Sequence, residues 1–192
     1  MKLKFCLMGM LCLFFQAKGQ TTKYLNKGDK MPDVVITNII NNKMKSARIS
    51  DFKGKLVILD FWQPWCDGCV EAFPKMDSLQ RQFSGKLQIF LVNCADNHSN
   101  ERAVWLSINR VEGFTGRKLS IPVVFSDTLL KSLFYFIGVP HYVWIDKQGT
   151  ILAMTDLHQV TRENISRILE GKEVELKQKV ERIRNIKKIA TP

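Results

Sequence analysis

The chain has 192 residues, 45% of them hydrophobic, and a formal charge of +11. This length and apolar content fit one globular domain with short extensions, and the sequence shows no internal repeat and no long low-complexity tract.

Residues 1–20 begin with Lys2 and Lys4, run apolar from Phe5 to Phe15 and reach Ala17-Lys18-Gly19. A basic start, a short apolar run and small residues at the two positions a signal peptidase reads predict a signal peptide over 1–19. The run is shorter than the about 20 apolar residues of a membrane span. An uncleaved anchor is the alternative. A lipoprotein is disfavoured, because Gly9-Met10-Leu11 ahead of Cys12 lacks the small residues expected before a lipidated cysteine. Loss of this segment would lower the charge from +11 to +8 and leave three cysteines, Cys66, Cys69 and Cys94. An exported protein rarely meets nucleic acid, so the basic excess reads as a solvated surface, with anionic membranes or acidic partners as the alternative.

Residues 20–29 are polar and extended. Residues 34–37 and 45–49, on either side of Asn41-Asn42-Lys43, predict a β-hairpin covering one side of the domain. After a turn over 50–55, the run Leu56-Val57-Ile58-Leu59-Asp60-Phe61-Trp62 suits a strand buried on both faces. Residues 69–83 then carry Val70, Phe73, Met76, Leu79 and Phe83 at helical spacing. Cys66 and Cys69 lie between strand and helix, where a helix N-terminus favours a thiolate. If Cys66 opens the first turn, its sulfur is the exposed one and Cys69 lies one turn deeper. A bridge over two intervening residues constrains the unfolded chain little, so redox chemistry explains the pair better than stapling does. Asp60 is the only ionisable residue of its strand, and a lone buried carboxyl has a raised pKa.

Gly85 ends the helix and 87–92 predict a second buried strand, giving a right-handed parallel crossover. Cys94 closes that strand as a small buried hydrophobe. Residues 101–110 read as a helix, 112–118 as a loop and 121–125 as a strand, with Asp127 capping a helix to about Phe136. Gly138-Val139-Pro140 interrupts the chain. Two strands follow, over 142–145 and 150–154, joined by the turn Asp146-Lys147-Gln148-Gly149. Thr161 opens a helix with Ile165, Ile168 and Leu169 on its apolar face, and Gly171 ends it. Beyond it Val174, Leu176, Val180, Ile183, Ile186 and Ile189 predict an amphipathic basic tail over 172–192. The tail reads as a helix that packs on the body or frays in solvent, with a membrane-surface or partner helix as the alternative. His98 and His158 fall in polar stretches and read as surface residues.

Taken together, Gly28-Asp29 with Pro32-Asp33, the strand to Phe61, Trp62, Trp65-Cys66-Asp67-Gly68-Cys69, Phe73-Pro74, Gly138-Val139-Pro140 and 145–149 resemble the thioredoxin superfamily. Within it the chain resembles the exported TlpA/ResA-like thiol-disulfide oxidoreductases. The resemblance implies a thioredoxin-like α/β fold over 20–171, a central mixed sheet flanked by helices, with an N-terminal β-hairpin extension and a C-terminal tail. It implies that Cys66 attacks, that Cys69 resolves and that the two form a redox disulfide. Asp60 is then the proton acceptor behind Cys69, Trp65 covers the sulfur, and Pro140 is the cis proline that presents Val139 to an extended substrate. Two positions depart from the pattern. Ala72 stands where many ResA-like members carry Glu, with Glu71 one place early, and His141 replaces the usual Thr beside Pro140, within reach of Cys66 or substrate.

These features predict a reductase of protein disulfides, with no cofactor and no metal, fed by a membrane electron donor. Apocytochrome c, misoxidised secreted proteins and a redox partner are all open as substrates. A peroxiredoxin would need Pro and Thr or Ser where Leu59 and Gln63 stand. A Sco-like copper carrier would use the two cysteines with a distant histidine such as His158, but with one more residue between the cysteines.

Overall fold

A computed structural model describes residues 24–96 and 99–179. The expected signal peptide, His98 and the tail from Val180 onward lie outside the described residues.

The core is a six-stranded mixed sheet in the order β2-β6-β5-β4-β7-β8. Its centre is β4 (Leu56–Trp62), all seven residues of which are buried. β5 (Leu87–Cys94) runs parallel to it on one side and β7 (His141–Ile145) antiparallel on the other. Alternation along β4 divides the interior in two. Leu56, Ile58 and Trp62 pack under α1 (Asp67–Glu71), α2 (Phe73–Gln82), α3 (Glu101–Thr115) and α5 (Arg162–Leu169). Val57, Leu59 and Phe61 face the N-terminal extension and α4 (Leu129–Leu133). Asp60 follows the first set, toward the layer that holds Cys69 and Val70.

The single helix expected over 69–83 is two. Pro74 has no N–H to give to the Val70 carbonyl, so the bond that would carry one helix into the next cannot form. Ala72 serves as the C-cap of α1 and the N-cap of α2. α3 is longer than expected, because Val104, Ile108 and Val111 keep one buried face through Gly113. The chain leaves the helix only at Gly116, whose φ of 65° suits glycine. α4 is shorter: Asp127 caps it by accepting from the Leu130 and Lys131 amides, but Phe134 leaves it in extended conformation. Phe134 and Phe136 both turn in against Phe61.

The N-terminal hairpin exists with a detour. β1 (Val35–Ile36) pairs with β3 (Ala47–Arg48), while β2 (Ile39–Ile40) joins the main sheet antiparallel to β6 (Val123–Asp127). Asn38 and Asn41, at φ of 53° and 55°, make the bends on either side of β2. The extension thus covers an edge that would otherwise be open to pairing. β8 (Ile151–Thr155) closes the other side.

After α5, ended at Gly171 (φ 76°), residues 172–178 are neither helix nor strand. Val174 and Leu176 recur with a period of two, and Leu176 is buried against the body. The Met154 amide donates to Gln178 Oε1 at 3.0 Å, fixing the strap along β8.

Phe73, fully buried and edge-on to Trp62 at 4.8 Å, pins α2 to the end of β4. Phe73→Ala is expected to lower the stability of the oxidised protein by about 3–5 kcal/mol in urea unfolding, with the m-value unchanged.

Candidate active site

β4 ends at Trp62, and the chain turns through Gln63, Pro64 and Trp65 into α1. Cys66 is the N-cap of α1, its amide donating to the Gln63 carbonyl at 3.0 Å and its own carbonyl accepting from the Cys69 and Val70 amides. Cys66 and Cys69 are joined in a disulfide, with Cα atoms 5.3 Å apart. Cys66 is half-buried and Cys69 is fully buried. Any partner thiol or disulfide therefore meets Cys66, and Cys69 can act only from within.

Asp60 lies on the strand beneath. Both its carboxylate oxygens are buried without a hydrogen bond. Burial pushes this carboxyl well above the usual carboxylate range; the Tyr142 hydroxyl, from the facing position on β7, pulls it back only in part. Burial likewise raises the Tyr142 hydroxyl, and the Asp60 charge raises it further. The two groups face each other across β4 and β7, both buried.

The Val139-Pro140 bond is cis. β7 pairs Phe61 with His141, so continuing the register sets Pro140 opposite Trp62 and Val139 opposite Gln63, across from the cysteine loop. Among the described residues, no donor or acceptor engages the Val139 backbone, and Val139 is only half-buried. Trp65 is 58% exposed beside Cys66, its indole N–H reaching the Asp96 carboxylate at 3.4 Å.

His141 departs from the expectation of substrate contact. Its side chain is fully buried, stacked on Phe136 at 4.5 Å, with neither ring nitrogen hydrogen-bonded. As the partner of Phe61 it shares the inward face of the sheet and is closed to an external substrate. Burial pushes its pKa down to about 3, helped by the Lys179 ammonium, so the imidazole is neutral.

Cys94 is buried, and burial pushes its thiol up to about 12, which removes it from thiol chemistry at neutral pH. His158 is exposed on a short turn after β8. Ala72 is buried, while Glu71 stands exposed at the rim of a groove of about 450 Å³ between α1 and α3. Asp67, the residue after Cys66, is ion-paired with Arg110 of α3 at 3.3 Å, both side chains exposed.

Sequence reasoning missed the polar link that holds the ends of β4 and β5 together. The Gln63 amide donates to the Cys94 carbonyl at 2.8 Å and accepts from Asn93 at 3.1 Å. Asn93 in turn bonds Ser99 and accepts from the Ser126 amide. A usable signal existed: Gln63 and Asn93 are amides at the carboxyl ends of buried strands, where open α/β sheets place their sites.

A mixed sheet with a cysteine pair at the mouth of its central strand, a buried carboxyl beneath and a cis proline opposite defines a thioredoxin-like dithiol protein. Comparison with known proteins agrees. The Redoxin family model matches residues 26–169. The chain is 30% identical over 146 residues to the thiol-disulfide oxidoreductase ResA of Geobacillus kaustophilus, covering 75% of this chain and 76% of that protein. It is 25% identical over 144 residues to the thioredoxin-like protein YneN of Bacillus subtilis, covering 75% and 78%. Among solved structures, the thioredoxin domain of a thiol-disulfide oxidoreductase from Bacteroides vulgatus matches with a TM-score of 0.55 and 22% identity, over 77% of this chain and 97% of that one. The chain belongs to the redoxin family, as a TlpA/ResA-like thiol-disulfide oxidoreductase.

The raised Asp60 carboxyl binds its proton more tightly folded than unfolded, so native stability falls as pH rises from about 3.9 toward the folded pKa. Asp60→Asn removes that loss. Urea unfolding of the oxidised proteins is expected to show the variant gaining on wild type between pH 4 and pH 8; a pH-independent difference would contradict the assignment.

Proposed function

We propose that the protein is an exported reductase of protein disulfides, working through Cys66 and Cys69 with Asp60 as proton acceptor. The observation that carries this reading is the asymmetry of the pair, Cys66 half-buried and Cys69 fully buried, on a sheet whose central strand holds a buried carboxyl without a hydrogen bond. In the dithiol form the Cys66 thiolate attacks a substrate disulfide, making a mixed disulfide and releasing one substrate thiolate. Cys69 gives its proton toward Asp60, a better acceptor than an ordinary carboxylate because its pKa is raised. The Cys69 thiolate then attacks the Cys66 sulfur. The second substrate thiolate leaves and the Cys66-Cys69 disulfide forms, two electrons having passed to the substrate.

Val139 would pair through its unengaged backbone with an extended substrate segment, next to Pro140, while Trp65 shields the reacting sulfur. His141 supports this loop from inside. Residues 1–19 would serve as the signal peptide, residues 20–171 as the catalytic domain and 172–192 as a tail whose basic end meets the membrane surface. A periplasmic compartment is oxidising, so re-reduction calls for an electron donor in the membrane. The reducing direction draws support from Asp67, whose negative charge disfavours the neighbouring thiolate, although its pairing with Arg110 offsets part of that effect.

Cys66→Ser is expected to abolish insulin reduction. Cys69→Ser should accumulate a mixed disulfide with insulin, visible as an adduct by mass spectrometry under non-reducing conditions. Titration of the pair against glutathione decides direction: a potential near the ~ −120 mV of strong oxidants would overturn the reductase reading.

A further inference from the structure

The strap that follows α5 ends at a contact the catalytic reading does not use. Its backbone is anchored by Leu176 in the core, by the Met154 amide on Gln178 and by the Lys177 amide on Gln159. These bonds carry Lys179 to the far end of the sheet, where its ammonium donates to the carbonyls of Gly138, at 2.9 Å, and of Pro140. Long lysine side chains normally keep the ammonium in water. Here it is half-buried, and burial lowers its pKa while the Asp156 carboxylate favours the charged form. A charge withdrawn this far from water needs acceptors, and two of them are main-chain oxygens of the cis-proline loop.

The positions of these two oxygens matter. They belong to the residues on either side of Val139, whose own N–H and C=O are unengaged among the described residues. The loop thus has the carbonyl of each flanking residue tied down and one backbone edge left for an incoming strand. We infer that Lys179 is a positioning residue for substrate, holding the Gly138 and Pro140 carbonyls so that the Val139 backbone stands ready to pair with the extended segment around a substrate disulfide. This rests on the reading of Val139 as the docking edge given under Proposed function. Ordering the loop in advance lowers the entropy that substrate binding must overcome. The chemistry at Cys66 does not need Lys179, so its removal separates recognition from sulfur exchange.

The test compares full-length wild type with Lys179→Met on two substrates. Insulin offers a peptide backbone for pairing; 5,5′-dithiobis(2-nitrobenzoate) offers a disulfide without one. The variant is expected to raise the KM for insulin by at least about fivefold, with kcat and the rate toward the small disulfide within about a factor of two of wild type. An unchanged small-disulfide rate also shows that the variant folds with its active site intact. Equal losses on both substrates, a loss confined to kcat, or an unchanged KM would each overturn the inference. Should wild type fail to reduce insulin, the reductase direction is what falls. The same comparison is then run on the oxidation of reduced ribonuclease against a small dithiol, with the same selective rise in KM expected and the same patterns counting against it.

Discussion

An ionisable carboxyl without a hydrogen bond sits in the middle of a strand buried on both faces, and the rest of the molecule is arranged to make that tolerable and useful. Leaving Asp60 charged in this layer would be destabilising by several kcal/mol, so folding pushes it toward the protonated form. Only the centre of a broad sheet can enclose a group so fully. β5 and β7 take up the hydrogen bonds of β4, while helices and the N-terminal extension cover its two faces. An apolar residue there would pack with less penalty. Stability therefore does not account for the carboxyl, whereas the proton transfer proposed for it would.

The same strand delivers the sulfurs. Where β4 stops, the chain has the N-terminus of α1 directly ahead, and the break at Ala72-Phe73-Pro74 lets α1 stand as a short segment of its own before α2 continues. Three further pieces of chain converge on that mouth. The Gln63-Asn93 amides bind the ends of β4 and β5, the cis-proline loop arrives at the start of β7, and the strap after α5 reaches that loop through Lys179. The polar links lie around the rim and the apolar mass beneath, so the site is rigid below and addressable from above.

Much of this was legible in residue patterns. The continuous apolar run of β4, the cysteines behind it and the Asp60 within it are local features, and burial by neighbouring strands follows from their character. The failures share a cause. The stretch 112–118 looked like a loop because of its glycines, yet Gly113 sits on the solvent face of a helix held by Val104, Ile108 and Val111. β2 looked like part of a local turn, yet its pairing partner is more than 80 residues away in β6. The tail looked helical by its apolar spacing, yet its first seven residues, 172–178, are held beside β8 outside any helix. In each case a distant surface outweighed local propensity.

By itself the sequence determined the local chemistry, two cysteines at helical spacing after a buried strand and a carboxyl inside that strand, because reactivity and strand character reside in residue types and short spacings; that Pro140 faces them was implied only by the family resemblance. The tertiary structure alone decided which of those groups reach the outside. His141 directly follows Pro140, within reach of Cys66 or substrate by sequence, but the pairing of β7 with β4 turns it inward onto Phe136. Asp67 stands next to Cys66 in the chain, and only the packing of α3 brings Arg110 to it. Lys179 looked like one basic residue among many until the strap set it on the carbonyls beside Val139. Exposure and partnership depend on register and on chain segments far apart in sequence, which no local pattern encodes.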